Sequence, residues 1–124
     1  MIRRELERHK GIEVDTAGDG FLARFDGPAR AVRCAGALSI AIADLGVELR
    51  AGVHTGECEI LENGLTGIAI HIAARIAGLA GPREVLASNT VKDLVAGSGL
   101  VFDDVGEREL KGVVGVWRLV RLAA

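Results

Sequence analysis

The sequence predicts one α+β domain spanning residues 1–124, with helices packed on a mainly antiparallel sheet. Apolar side chains recur with period two in some segments and at helical spacing in others, so strands and helices both occur. Several neighbouring strands are joined by short turns, which is typical of antiparallel pairing. Apolar residues make up 49% of the chain but aromatic residues only 3%, so we expect a core of leucine, isoleucine, valine and alanine.

The first part of the chain predicts a helix, a hairpin and a second helix. Ile2 and Leu6 recur at helical spacing among charged residues. Glycines on both sides of an aspartate favour a tight hairpin turn. Pro28 suits the first turn of the second helix, and Gly46 ends it. The predicted elements are a helix within residues 1–10, strands at 12–17 and 21–25, and a helix from Pro28 to about Leu45.

The second part predicts more strands and two helices. Asn63-Gly64 indicates a turn, Gly81-Pro82 closes a helix, and Ser88 suits the N-cap of a short one. The predicted elements are a strand at 47–55, a returning strand at 57–61, a helix at 68–79, a strand at 85–87, a short helix to about Ala96, and strands at 100–105 and 116–122.

Composition narrows the function classes. A net charge of −2 gives no general attraction for nucleic acid, and there is no basic stripe. No apolar run approaches the length needed to cross a bilayer, and the charged N-terminus does not read as a signal peptide, so we expect a cytoplasmic domain. Cys34 and Cys58 lack metal-type spacing, so we interpret both as structural thiols.

Asp19 lies between two glycines at the tip of the predicted hairpin. A carboxylate held in a fixed place is a good ligand for Mg²⁺, which prefers hard oxygen donors. Asp-Gly is also a common hairpin turn with no function. The metal hypothesis therefore depends on the motifs that follow it.

Four segments, in this order and at these spacings, resemble the class III nucleotidyl cyclase catalytic domain of adenylyl and guanylyl cyclases. They are Val14–Phe21, Leu49–Glu57, Gly67–Arg75 and Glu109–Val113. The resemblance covers nearly the whole chain. It implies a ferredoxin-like core whose first strand and first helix would lie upstream of Met1, in a protein fused to other domains.

The resemblance also implies roles for site residues. The family holds two Mg²⁺ or Mn²⁺ ions with two aspartates; Asp19 matches the second, and the first has no counterpart here. Arg75 matches the arginine that stabilises charge on the α-phosphate, and Lys111 matches the lysine that holds the terminal phosphates. A surface arginine and a solvated loop lysine are the alternative interpretations.

Three positions differ from the family pattern. His71 occupies the place of an asparagine that orients the ribose; it can still donate a hydrogen bond, or it can serve only in packing. Asp15 and Gly64 occupy the places of the lysine and the aspartate that read adenine. The residues expected for guanine are absent as well, so the base stays unassigned, with ATP the expected substrate. His54 and Gly56 are interpreted as structural.

The resemblance implies conversion of a nucleoside triphosphate to a 3′,5′-cyclic nucleotide and pyrophosphate across a two-fold homodimer. One subunit would supply the metals, and the other the arginine and lysine. With one metal aspartate lacking, we expect this chain alone to be inactive. The main alternative is a non-catalytic regulatory, dimerisation or nucleotide-binding module. A diguanylate cyclase is disfavoured because no Gly-Gly-Asp/Glu-Glu-Phe loop is present.

Overall fold

The computed structural model describes residues 2–17, 20–62 and 64–123. Helices and runs of one to three consecutive strands follow one another along the chain, a mixture that the sequence pattern predicts. In chain order the elements are α1 (Ile2–Arg8), β1 (Ile12–Ala17), β2 (Gly20–Arg24), α2 (Pro28–Ala43), β3 (Arg50–Val53), β4 (Glu59–Leu61), β5 (Gly64–Thr66), α3 (Ile68–Leu79), β6 (Glu84–Ser88), α4 (Asn89–Leu94), β7 (Phe102–Glu109) and β8 (Val116–Leu122).

The strands form one four-stranded sheet and two separate hairpins. The sheet has the order β3-β6-β8-β7; β3 and β6 are parallel, and the other pairs are antiparallel. The hairpins are β1-β2 and β4-β5, both antiparallel. This arrangement confirms the predicted α+β class with a mainly antiparallel sheet. None of the helices among the described residues is long and apolar enough to cross a membrane.

Two hydrophobic cores lie on opposite faces of the four-stranded sheet. Successive strand residues point to opposite faces, so Val85 and Ala87 enter one core while Leu86 enters the other. We call these the α2/α4 core and the α3 core. The buried members of the α2/α4 core are Val32, Val53, Val85, Ala87, Val91, Val95 and Val120. Those of the α3 core are Ile72, Ile76, Ala80, Leu86, Leu110 and Leu119.

A glycine allows α3 to approach the sheet closely. A Cβ built on Gly52 of β3 would clash with the backbone nitrogen of Ala77 and lie 2.5 Å from the carbonyl oxygen of Ala73. Both of those atoms belong to the α3 backbone. The helix therefore packs on β3 with no side chain between them, which fixes the position of α3 over the sheet.

The first helix and the β1-β2 hairpin pack together beside α2. Leu6 is buried, and a Cβ on Gly11 would contact the ring of Phe25. Cys34 of α2 is also buried, with its thiol 3.7 Å from the carbonyl oxygen of Glu5. Burial, with a smaller contribution from the charge of Glu5, raises the pKa of this thiol to about 11. Cys34 is thus an unreactive packing thiol, as predicted.

Some predicted details are wrong. The returning strand β4 does not pair with β3; it pairs with β5, a strand at Gly64–Thr66 that the sequence pattern did not predict. The predicted turn at Asn63 lies outside the described residues. Cys58 is exposed just before β4, so it is not a buried packing thiol. The strand predicted at 100–105 runs from Phe102 to Glu109, since a bulge near Gly106 lets it continue.

Candidate functional site

The turn between β7 and β8 carries Lys111 and contacts α3. The amide of Val113 donates to the carbonyl oxygen of Leu110 at 3.0 Å, which closes a β-turn with Lys111 and Gly112 at its centre. Gly112 is the third residue of this turn and has a φ of +79°. This left-handed value favours glycine at that position of a β-turn. A Cβ on Gly112 would lie 3.1 Å from Nε2 of His71. The turn and the middle of α3 are therefore in direct contact.

A buried residue fixes one end of this turn. Leu110 is 3% exposed and belongs to the α3 core, whereas Lys111 next to it is exposed. The chain thus leaves the core at Leu110 and presents the lysine to solvent one residue later. The structure brings together His71 and the Lys111 turn, two of the features that the sequence analysis selected.

Arg75 lies one helical turn after His71 on α3, so the two side chains project from the same face of the helix. Arg75 is exposed, as is Lys111. Within the described part of the chain, neither of these cations has an ion pair or side-chain hydrogen bond. Arg121 of β8 differs, because it contacts the carboxylates of Glu84 and Asp103. Arg75 and Lys111 are cations available to an anionic ligand.

A second polar cluster lies on the same face of the sheet, at the ends of β3 and β6. His54 follows β3, and its Nδ1 is 2.6 Å from Oγ of Ser88, which is fully buried. The His54 ring meets Trp117 edge to face, with centroids 5.6 Å apart and planes at 88°. Burial lowers the pKa of His54, so the neutral imidazole is favoured.

The sequence analysis missed this cluster. Ser88 occupies the N-cap position of α4, but its side chain makes no capping hydrogen bond and pairs with His54 instead. The alternation of side chains between the two faces of the sheet indicates why His54 and Ser88 meet. Gly52 and Leu86 face α3, so the residues two further on, His54 and Ser88, face the same way and lie side by side in the parallel register.

The remaining candidate residues are far from the Lys111 turn in the amino-acid sequence; they are Asp15, Gly64 and Asp19. Asp15 is exposed on β1, paired with Leu22 next to a register shift. Gly64 begins β5, which approaches β1. The strands that carry these two base-site candidates are therefore neighbours. Asp19, the metal candidate, lies outside the described residues.

The described residues form no candidate metal site. They contain no group of three or more histidine, cysteine, aspartate or glutamate side chains placed to hold an ion. The one carboxylate selected as a ligand, Asp19, is not among them.

Comparison with known proteins agrees on one fold. No family model matches the chain. The "Putative adenylate cyclase 3" of Rhizobium meliloti (strain 1021) is 34% identical over 121 residues, which cover 88% of this chain and 21% of that protein. The chain thus spans about a fifth of the length of this relative.

Solved structures of cyclases share the architecture. An adenylate/guanylate cyclase/hydrolase from Silicibacter pomeroyi matches with a TM-score of 0.85 at 24% identity, covering 100% of this chain and 79% of that one. A non-canonical dimeric guanylyl cyclase domain from the aquatic fungus Blastocladiella emersonii matches with a TM-score of 0.78 at 18% identity, covering 99% and 77% of the two chains. At these identities the matches show the fold.

Proposed function

Because this chain is a class III nucleotidyl cyclase catalytic-domain-like protein, we propose that it binds a nucleoside triphosphate, with ATP the expected substrate. In the intact protein the product would be a 3′,5′-cyclic nucleotide and pyrophosphate. The observation that carries this proposal is the contact between His71 and the Lys111 turn, with Arg75 unpaired one helical turn away. Two free cations beside a glycine turn suit a polyphosphate.

The reaction places specific demands on these residues. The ribose 3′-oxygen loses its proton and forms a bond to the α-phosphorus, while the bond from that phosphorus to the pyrophosphate oxygen breaks. Negative charge builds on the α-phosphate and on the leaving pyrophosphate. We assign Arg75 to the α-phosphate, and Lys111 to the terminal phosphates as a mobile point charge. We assign His71 to a ribose oxygen, as a hydrogen-bond donor in place of asparagine.

We propose Asp19 as a ligand for Mg²⁺ or Mn²⁺, which would stabilise the phosphates when bound. This chain has no counterpart of the first family aspartate, so its metal affinity should be weak. The 124-residue chain alone should therefore make little cyclic nucleotide from ATP or GTP with either metal. Detection of the cyclic product by mass spectrometry tests this expectation, and robust metal-dependent product from the pure chain would overturn it.

Calorimetry on lysine variants tests triphosphate binding directly. ATP should bind more tightly than AMP, because the terminal phosphates carry the charge that Lys111 meets. Lys111→Ala should weaken ATP binding by about tenfold and leave AMP binding nearly unchanged, as expected for loss of a charge-assisted contact. Lys92→Ala is the matched control, since Lys92 is an exposed lysine on α4. If Lys111→Ala weakens ATP binding and AMP binding equally, Lys111 contributes only a general positive charge and does not contact the terminal phosphates.

A non-catalytic binding module is the second candidate. The residues at His71, Asp15 and Gly64, which depart from the family pattern, favour it. A form of the chain extended at its N-terminus by the family's first metal-binding strand separates the two functions. If that form makes cyclic product, Arg75→Ala should lower kcat more than it raises KM, while Arg30→Ala on the exposed side of α2 should change neither. Binding without any product from that form would favour the module.

We also propose a two-fold homodimer, with the metal site from one subunit and Arg75 and Lys111 from the other. Two observations support it. The β4-β5 hairpin and the start of α3 expose large apolar side chains, among them Ile60 at 65% and Ile68 at 60%. Within the described residues, β3 pairs on one side only, which leaves an open sheet edge.

Sedimentation at micromolar concentration should show dimers, and Ile60→Lys should shift them toward monomer. A native monomer would refute the dimer.

A further inference from the structure

The two polar features on the α3 face are connected by a chain of contacts. The ring of Trp117 meets His54, and its indole Nε1–H donates to the carbonyl oxygen of Val114 at 3.3 Å. Val114 lies in the β7–β8 connection, directly after the turn that carries Lys111. Trp117 therefore touches the His54 cluster on one side and the lysine-bearing loop on the other.

The loop is held at two points of different kinds. At its start, Leu110 is buried in the α3 core. At its end, Val116 pairs with Glu109 and Val113 packs on the α3 core, but Val114 between them is 96% exposed and Gly115 has no neighbour within 4 Å of a built Cβ. The Trp117 hydrogen bond to the Val114 carbonyl adds a side-chain contact at this exposed part of the loop. Fixing both ends restricts where Lys111 can reach.

The position of Trp117 depends in turn on His54. Trp117 lies near the start of β8 and packs on the α3 core, but it is only partly buried there. The edge-to-face contact with His54 restrains it from one side. His54 is itself held by the short hydrogen bond to Ser88, whose hydroxyl is fully buried on β6, a strand flanked by neighbours on both sides.

We propose that His54, Ser88 and Trp117 are positioning residues for the Lys111 turn, acting through the Trp117 hydrogen bond to Val114. None of them touches the substrate in this scheme. They add a side-chain restraint to the exposed part of a loop whose ends are paired through Glu109 and Val116. The inference deepens the proposed function, because it gives the polyphosphate-binding lysine its support.

Two conservative variants test the separate contacts. Trp117→Phe keeps an aromatic ring for the contact with His54 and removes the Nε1–H donor together with part of the indole surface. His54→Asn keeps a polar atom near the place of Nδ1 for Ser88 and removes the ring that meets Trp117. His9→Asn is the matched control, since His9 lies at the end of α1 and bonds only the Glu5 carbonyl oxygen among the described residues.

Amide hydrogen exchange of the ligand-free protein gives the deciding readout. Both variants should exchange about fivefold faster at residues 110–115, as expected for the loss of one hydrogen bond, with β3, β6 and the control variant unchanged. Unchanged loop exchange in either variant would overturn the proposal. So would acceleration spread evenly over the sheet, because that pattern means a general loss of stability rather than positioning.

Binding of inorganic tripolyphosphate, followed by calorimetry, then separates this inference from the proposed function. Both variants should bind it about fivefold more weakly than the native chain, with His9→Asn unchanged. The emission of Trp117, the only tryptophan, should change on binding to the native chain and not to Lys111→Ala. If native protein binds no tripolyphosphate, the proposed function fails, while the exchange data still decide whether the positioning contacts exist.

Discussion

The α2/α4 core and the α3 core lie on opposite faces of the four-stranded sheet, and they differ in the residues that lie next to them. The buried members of the α2/α4 core are valine and alanine. The α3 core contains larger side chains and continues into Leu110, next to Lys111, and into the partly buried Trp117. The same face holds the polar pair His54 and Ser88. Packing in the α3 core therefore also sets the geometry of the candidate site, because Leu110 belongs to it and His71 lies next to it.

The largest test of this difference is a pair of cavity substitutions. Ile76→Ala in the α3 core should lower the free energy of unfolding by about 2–5 kcal/mol, since Ile76 is fully buried. Val32→Ala in the α2/α4 core removes fewer carbons and should cost about 2 kcal/mol. Urea unfolding measures both. Only Ile76→Ala should also weaken tripolyphosphate binding; equal effects on binding would erase the distinction between the faces.

Two glycines near α3 provide the next comparison. Gly52→Ala places a methyl group against the α3 backbone, which cannot shift cheaply, and should cost about 3 kcal/mol. Gly78→Ala, on α3 itself, meets nothing within 4 Å and should stabilise by about 0.5–1 kcal/mol because it removes a flexible residue from a helix. Thermal unfolding of the two variants should therefore shift in opposite directions. A tolerated Gly52→Ala would mean that α3 is not held against β3.

The turn glycines test how the α3 face reaches the site. Gly112→Ala and Gly115→Ala both force alanine into a left-handed backbone, at about 1–2 kcal/mol each. Only the Gly112 methyl group would also meet His71. Calorimetry should therefore show weaker tripolyphosphate binding for Gly112→Ala than for Gly115→Ala, at similar stability. Similar binding would mean that the contact with His71 does not shape the site.

The smallest expected effect is a pH dependence from His54. Burial lowers the pKa of His54 in the folded chain, while in the unfolded chain it has its ordinary value of about 6.5. As the pH falls below that value, the unfolded chain takes up a proton that the folded chain resists, so the free energy of unfolding decreases. The decrease ends once the pH passes below the folded pKa. Melting temperatures between about pH 7.5 and pH 5.5 should fall less for His54→Asn than for the native chain or His9→Asn.

The sequence alone determined most of the elements. Periodicity and punctuation predicted α3 at its observed bounds, both strands of the first hairpin and β8 at 116–122, because local spacing of apolar residues and glycines decides these features. It also selected Lys111 and Arg75 from the ordered motifs. Strand partners were harder to predict: β4 pairs with β5 and not with β3, since pairing depends on chain segments that meet only in the folded state.

The tertiary structure decided which polar groups meet. Ser88 carries an N-cap signature, yet its hydroxyl bonds His54, because the parallel register of β3 and β6 sets the two residues side by side. Likewise, nothing local to Gly112 predicts His71 as its neighbour; the close approach of α3 over Gly52 helps to set the position of that helix. Local sequence fixes backbone conformation through short-range sterics, but contacts between distant residues depend on how whole elements pack.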